Sequence, residues 1–126
     1  MTTTESAVMT TQEVADHLYE LLNGGKWDQA QEELFADNAV SIEPQQSEGL
    51  PSVNGLEAIK KKGQMWQEMV EETHGGYVSK PLVAGNHFAV GMGMDVTMKG
   101  KGRSKMDEIA VYEVKDGKIV KEQFFF

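Results

Sequence analysis

The sequence predicts an α+β fold, and three observations carry that reading. Apolar residues recur at helical spacing through most of the first seventy residues. After Gly75-Gly76 the period switches to strand-like alternation. Two dipeptides, Gly85-Asn86 and Asp116-Gly117, then sit between alternating apolar runs, where they signal tight hairpins. The predicted order is α-α-β-α followed by four antiparallel strands.

The first helix starts at Thr10-Thr11-Gln12-Glu13, which has the spacing of a capping box, with Met9 and Val14 placed for a hydrophobic staple. Its stripe is Val14, Leu18, Leu21 and Leu22, and Asn23-Gly24-Gly25 ends it. A second short helix is expected from about Asp28 to Phe35, broken by Asp37-Asn38. Ala39–Glu43 reads as a short strand. Pro44–Val53 is a loop with two prolines and a glycine, long enough for a small domain to suggest function. Asn54-Gly55-Leu56-Glu57 opens the longest helix with cap-like spacing, and Leu56, Ile59, Gly63, Trp66 and Val70 share a face up to about residue 74. Tyr77–Ala84 and His87–Met98 form the first hairpin. Lys99–Arg103 turns the chain into the second, Met106–Phe126. Residues 1–9 are expected to be a flexible N-terminus and 10–126 one domain.

Composition narrows the function. A net charge of −8, without a basic stripe interleaved with aromatics, argues against nucleic acid or an anionic membrane as partner. With no cysteine there is no thiolate chemistry or thiolate-bound metal, and cytoplasmic residence is the expectation. His17, His74 and His87 lie in different elements at no zinc-binding spacing, so no metal and no other cofactor is predicted. Eight methionines are many for this length and suit an adaptable apolar cavity.

The closing hairpin holds the chemistry. Glu108 precedes Ile109-Ala110-Val111-Tyr112, and Glu122 precedes Phe124-Phe125-Phe126. A carboxylate turned inward from a strand costs about 1–3 kcal/mol if its hydrogen bonds are unmet, so an inward pair needs a use. Their direction depends on the Asp116-Gly117 turn. A two-residue turn sets Val114 opposite Ile119 and puts Glu108, Ala110 and Tyr112 on the face of Lys121 and Gln123. A three-residue turn with a bulge sets Val114 opposite Lys118 and gathers Glu108, Ala110, Tyr112, Glu122, Phe124 and Phe126 on one face. Two further carboxylates are candidates: Glu43, at a strand end beside the long loop, and Asp95, on a strand face opened by Gly91 and Gly93. For each of the four, the competing reading is a solvated side chain or a salt bridge. Trp66 and Phe88 are candidate walls of a pocket.

The order of elements and the ending DGKIV-Lys121-EQFFF resemble the SnoaL-like branch of the nuclear transport factor 2-like superfamily, over roughly residues 11–126. The resemblance implies a cone in which a curved mixed sheet wraps a long helix and encloses a pocket. It also implies a homodimer and a small apolar organic ligand. Ala39–Pro44 resembles the segment where ketosteroid isomerase carries its proton-shuttling carboxylate, which puts Glu43 at that position. The isomerase's two oxyanion donors match Leu18 and Ala110 here, so steroid isomerisation is not implied. What is implied is cofactor-free acid/base work (isomerisation, cyclisation, dehydration or hydrolysis) or, alternatively, a non-catalytic binding or dimerisation module. The resemblance favours the bulged register of the final hairpin.

Overall fold

The computed structural model describes residues 8–45 and 49–126. Most of the N-terminal segment expected to be flexible, and part of the Pro44–Val53 loop, lie outside the described residues. The elements are helices α1 (Thr11–Asn23), α2 (Trp27–Leu34) and α3 (Leu56–Met69), with strands β1 (Phe35–Ile42), β2 (Val53–Asn54), β3 (Val70–Val78), β4 (Leu82–Ala84), β5 (His87–Met98), β6 (Gly102–Lys115) and β7 (Lys118–Phe125). They build the α+β cone: three helices against one curved sheet of order β2-β1-β7-β6-β5-β3, with β4 beside β5. β1 runs parallel to β7, and the other neighbours are antiparallel.

The capping box on α1 forms as the sequence predicts. Thr10 Oγ1 accepts from the Glu13 amide at 3.1 Å, and Glu13 Oε1 accepts from the Thr10 amide at 2.9 Å. The helix buries Val14, Ala15, Leu18, Leu21 and Leu22. This stripe packs with Ala30 and Leu34 of α2, Ile59 of α3 and the inner sheet residues Phe88, Val90 and Tyr112 as the core.

Four expectations need correction. Asp37-Asn38 does not separate a helix from a strand. The helix stops at Leu34, and Phe35 through Ile42 is already β1. The two polar residues lie exposed in the irregular stretch between the Phe35–Ile119 and Val40–Lys121 pairings. Asn54 is not the cap of α3. It pairs with Val40 in β2, and Gly55, at φ 95°, takes the N-cap position without any side-chain bond. α3 ends at Met69 rather than near residue 74, because Val70–Val78 pairs along β5 instead. Finally, Tyr77–Ala84 is not one strand. Pro81 has no amide to give the ladder, and the chain breaks between β3 and β4. Ser79 bridges the gap: its amide donates to the Gly91 carbonyl at 2.8 Å, and the Gly91 amide donates to its hydroxyl at 2.7 Å.

The final hairpin combines both registers that the sequence allowed. Lys115 faces Lys118 and Val114 faces Ile119, so the turn is tight. Asp116 and Gly117 both have positive φ, 52° and 76°, as a type I′ turn requires. One step later Val120 bulges out of the ladder, and Glu113 faces Lys121. From there Tyr112 faces Glu122 and Ala110 faces Phe124. The turn is tight, yet the residues gathered on the inner face are those expected from a bulge. Gly117 is also needed for space, since a Cβ there would come within 2.9 Å of the Met9 nitrogen. Among the described residues, no helix is long and apolar enough to cross a membrane.

Candidate active site

The inner face of the sheet holds a buried polar network at the point where β1, β7 and α3 meet. Alternation along β1 turns Ala39, Ser41 and Glu43 the same way, and Pro44 follows at once. Ser41 is the parallel partner of Glu122. On α3, Lys62 lies three residues after Ile59 and therefore on the buried stripe. The hydrogen bonds form a continuous file. Lys62 Nζ donates to Glu43 Oε2 at 2.8 Å and to Ser41 Oγ at 2.6 Å. The Ser41 hydroxyl donates to Glu122 Oε2 at 2.7 Å. Ser41 is 0% exposed, Lys62 5% and Glu122 6%. Lys62 also sits over the Phe124 ring, 5.6 Å from its centroid.

Glu108, on β6, stands on the same face. It faces Met92 across the strands, and Met94 and Met106 form the next pair on that face. Its carboxyl is pushed up to about 7 by burial, then by the charges of Glu43 and Glu122, against the pull of Lys62. Glu122 is also raised to about 7. Burial is the largest cause, and Glu43 adds to it, while the Ser41 hydrogen bond and Lys62 oppose it. Two carboxyls that titrate near neutrality can each give or take a proton under ordinary conditions. A hollow of about 400 Å³ opens beside the network, lined by Ile42, Glu43, Pro44, Gln45 and Gln123 through Phe126. It meets the network at Glu43 and Phe124. Among the described residues no group of three or more His, Asp or Glu is arranged to hold a metal ion.

The model of the SnoaL-like domain matches residues 9–126. The chain belongs to the SnoaL-like family. A comparison with curated proteins finds no match. Among solved structures, a Mesorhizobium loti protein provisionally named a SnoaL-like polyketide cyclase, with carbohydrate phosphatase in brackets, is 41% identical. The match covers 94% of this chain and all of that one, at a TM-score of 0.87. A provisionally named isomerase of Bacillus subtilis (19% identity, 92% and 88% covered, TM-score 0.71) shares the fold. So does a provisionally named polyketide cyclase of Streptomyces antibioticus (21%, 93% and 91%, 0.67).

Within this SnoaL-like domain, Glu43, Glu108 and Glu122 come together, and Asp95 does not join them. Asp95 points to the opposite face of β5, where Arg103 binds it through two hydrogen bonds of 2.9 Å. The guanidinium holds its carboxyl below the usual range. Leu18, Phe88 and Ala110 are closed into the core. Tyr112 is buried too, stacked on Phe88 with centroids 4.9 Å apart and meeting Phe35 edge-on. Burial, with Glu122 and Glu108 nearby, lifts its phenol well above the ordinary value. Phe124 is half-buried against the core, and Phe126 is exposed at the rim of the hollow. Trp66 borders a separate, smaller hollow with Val70 and Thr73.

Sequence reasoning missed Ser41 and Lys62. Lys62 is the last of a short Lys60-Lys61-Lys62 run, and its spacing from Leu56 and Ile59 was the available signal. For Ser41 the signal was its alternation with Glu43.

Proposed function

We propose that this SnoaL-like domain binds a small, neutral, apolar carbonyl compound and moves a proton on it without a cofactor. The observation that carries the reading is Glu108: a carboxyl at about 7, walled by Met92, Met94 and Met106, with Glu122 and its Ser41–Lys62 support behind it. In the ionised state Glu108 abstracts a proton next to a carbonyl. A neutral carboxyl of the same cluster hydrogen-bonds the oxygen as it gains charge. The electron pair of the broken C–H bond moves into an enol; return of the proton at another carbon isomerises the compound, while attack of the enol carbon on a second carbonyl carbon closes a ring, that carbonyl's oxygen taking the electron pair and then the proton. The names of the Mesorhizobium, Streptomyces and Bacillus relatives, two polyketide cyclases and an isomerase, support this class of chemistry. With three carboxylates against one lysine, the cluster disfavours anionic ligands.

The test is deuterium exchange at the α-carbon of small apolar ketones incubated with the protein in D₂O and followed by NMR. Exchange is expected to rise with pH through about 7 and to fall about 100-fold in Glu108→Gln, within the range for general acid–base groups. A ketone panel that neither exchanges nor shifts the melting temperature would sink the reading.

The same reading includes a homodimer formed through the outer sheet face. Ile109 and Phe125 face each other there and stay exposed. Exposed Tyr77 lies across Gly93, where a Cβ would overlap its ring, and its hydroxyl donates to Asp107 at 2.7 Å. Exposed apolar side chains on an open sheet face suit an isologous pair. Light scattering is expected to give twice the chain mass, with monomer for Ile109→Lys/Phe125→Lys. A monomeric wild-type protein contradicts it.

A further inference from the structure

The polar file has a direction fixed by the chemistry of its members. An ammonium group can only donate, so Lys62 donates to Ser41 Oγ. The Ser41 hydroxyl hydrogen is then free to donate onward, and it meets Glu122 Oε2. On this arrangement Oε2 of the ionised Glu122 accepts. The charged and titratable groups around Glu122 are Glu43 beyond the end of β1, Lys62 on α3, and Glu108 and Tyr112 on β6. Glu122 itself is buried, 6% exposed. Glu43, at the far end of the file, lines the hollow and its side chain is 10% exposed.

We propose that Glu43, Lys62, Ser41 and Glu122 form a proton-conducting file that exchanges protons between the hollow and the buried Glu122. Each link is 2.6–2.8 Å long, short enough for transfer along existing hydrogen bonds. When Glu122 is ionised, Lys62 passes a proton to Ser41 Oγ as the Ser41 hydroxyl passes its own to Glu122 Oε2. One N–H and one O–H bond break, and two O–H bonds form. Lys62, now a neutral amine, is reprotonated from water in the hollow by way of the Glu43 carboxylate, which takes up a proton on one side as it hands it to Lys62 on the other. While Glu122 Oε2 holds the proton it donates to Ser41 Oγ, and the Ser41 hydroxyl turns back toward Glu122 once Oε2 is again free to accept. The net result is one proton moved from the hollow to Glu122, and the reverse sequence releases it. Ser41 and Lys62 are positioning residues here: they touch no ligand and serve Glu122. What the proton is used for rests on the acid/base reading above. The conduction itself is a property of the free protein and is measured without any ligand, so either idea can fail alone.

The experiment is a pH titration of the full chain labelled at the glutamate side-chain carboxyl carbons, followed by NMR. Wild type is expected to give one averaged Glu122 signal that moves smoothly through neutrality, because the file exchanges protons quickly. Ser41→Ala removes the middle link, and the expected result is two separate Glu122 signals, for the protonated and ionised forms. Lys62→Arg keeps the positive charge and the donors but holds its proton too tightly to pass it on. It is expected to split the signal in the same way, even if Ser41→Ala fails to fold. Ser41→Thr keeps the hydroxyl and restores averaging. A merely structural role would shift stability in these variants but leave the averaging unchanged. Fast averaging that persists in a folded Ser41→Ala or Lys62→Arg protein, or slow exchange in wild type, overturns the proposal.

Discussion

Glu122→Gln is expected to stabilise the folded protein at pH 8 by about 3 kcal/mol, the equivalent of a carboxyl raised from 4.5 to about 7. The sign follows from proton counting. Between those two values the folded chain holds a proton on Glu122 that the unfolded chain has lost. The native protein therefore binds more protons, and its stability falls as pH rises through that window. Glu108, raised for similar reasons, acts in the same direction. Below pH 4.5 Glu122 is neutral in both states, and the glutamine variant gains nothing. The amide oxygen of glutamine still accepts from Ser41, so the change removes charge and little else. Thermal melts at pH 8 and pH 4 check this. The melting temperature is expected to rise on the order of 10 °C at pH 8 and to stay near wild type at pH 4. An equal change at both values would mean that the effect is packing rather than charge.

Lys62→Met has the opposite sign and a similar size. Lys62 is the ammonium shared by Glu43 and Ser41 in a buried setting, with side chains only 6% and 10% exposed in the Lys62–Glu43 pair. Removing one partner of such a pair leaves a buried charge without compensation, typically a loss of about 3–5 kcal/mol. Methionine fills the space, so a cavity does not account for the loss. Urea unfolding at pH 8 is expected to give this loss, and unfolding at pH 4 a much smaller one, because protonated carboxyls need no cation. An exposed salt bridge such as Asp95–Arg103 is the useful contrast, since pairs of that kind contribute little to stability.

The architecture was legible because local signals agreed. The Thr10 cap, the α1 stripe, the Gly85-Asn86 and Asp116-Gly117 turns and the strand alternation each matched the structure. The boundaries that failed were places where tertiary pairing overrode local preference. Val70–Val78 is a strand because β5 offers it a partner, and Asn54 is tied to Val40 rather than capping α3. At the candidate site, carboxylates stood out because a strand rarely turns one inward. Ser41 and Lys62 did not, since a serine in a strand and a lysine in a lysine run are ordinary until their partners are known. Asp95 looked like Glu122 in sequence. What separates them is the face of the sheet and Arg103, eight residues later across the β5–β6 turn.

The Val120 bulge bears on how the chain reaches this structure. A hairpin that zips from its type I′ turn forms the Lys115–Lys118 and then the Val114–Ile119 pair, and continued without interruption it would bring Lys121 opposite Tyr112. That misregistered hairpin would turn Lys121 and Gln123 toward the core and Glu122 and Phe124 away from it. The correct form therefore depends on distant contacts: Ser41 and its parallel neighbours on β1, more than seventy residues earlier, must already be present to receive Glu122. Folding of the C-terminal hairpin then has a late, long-range step, and substitutions at Ser41 or Val120 should slow refolding more than substitutions in the turn itself.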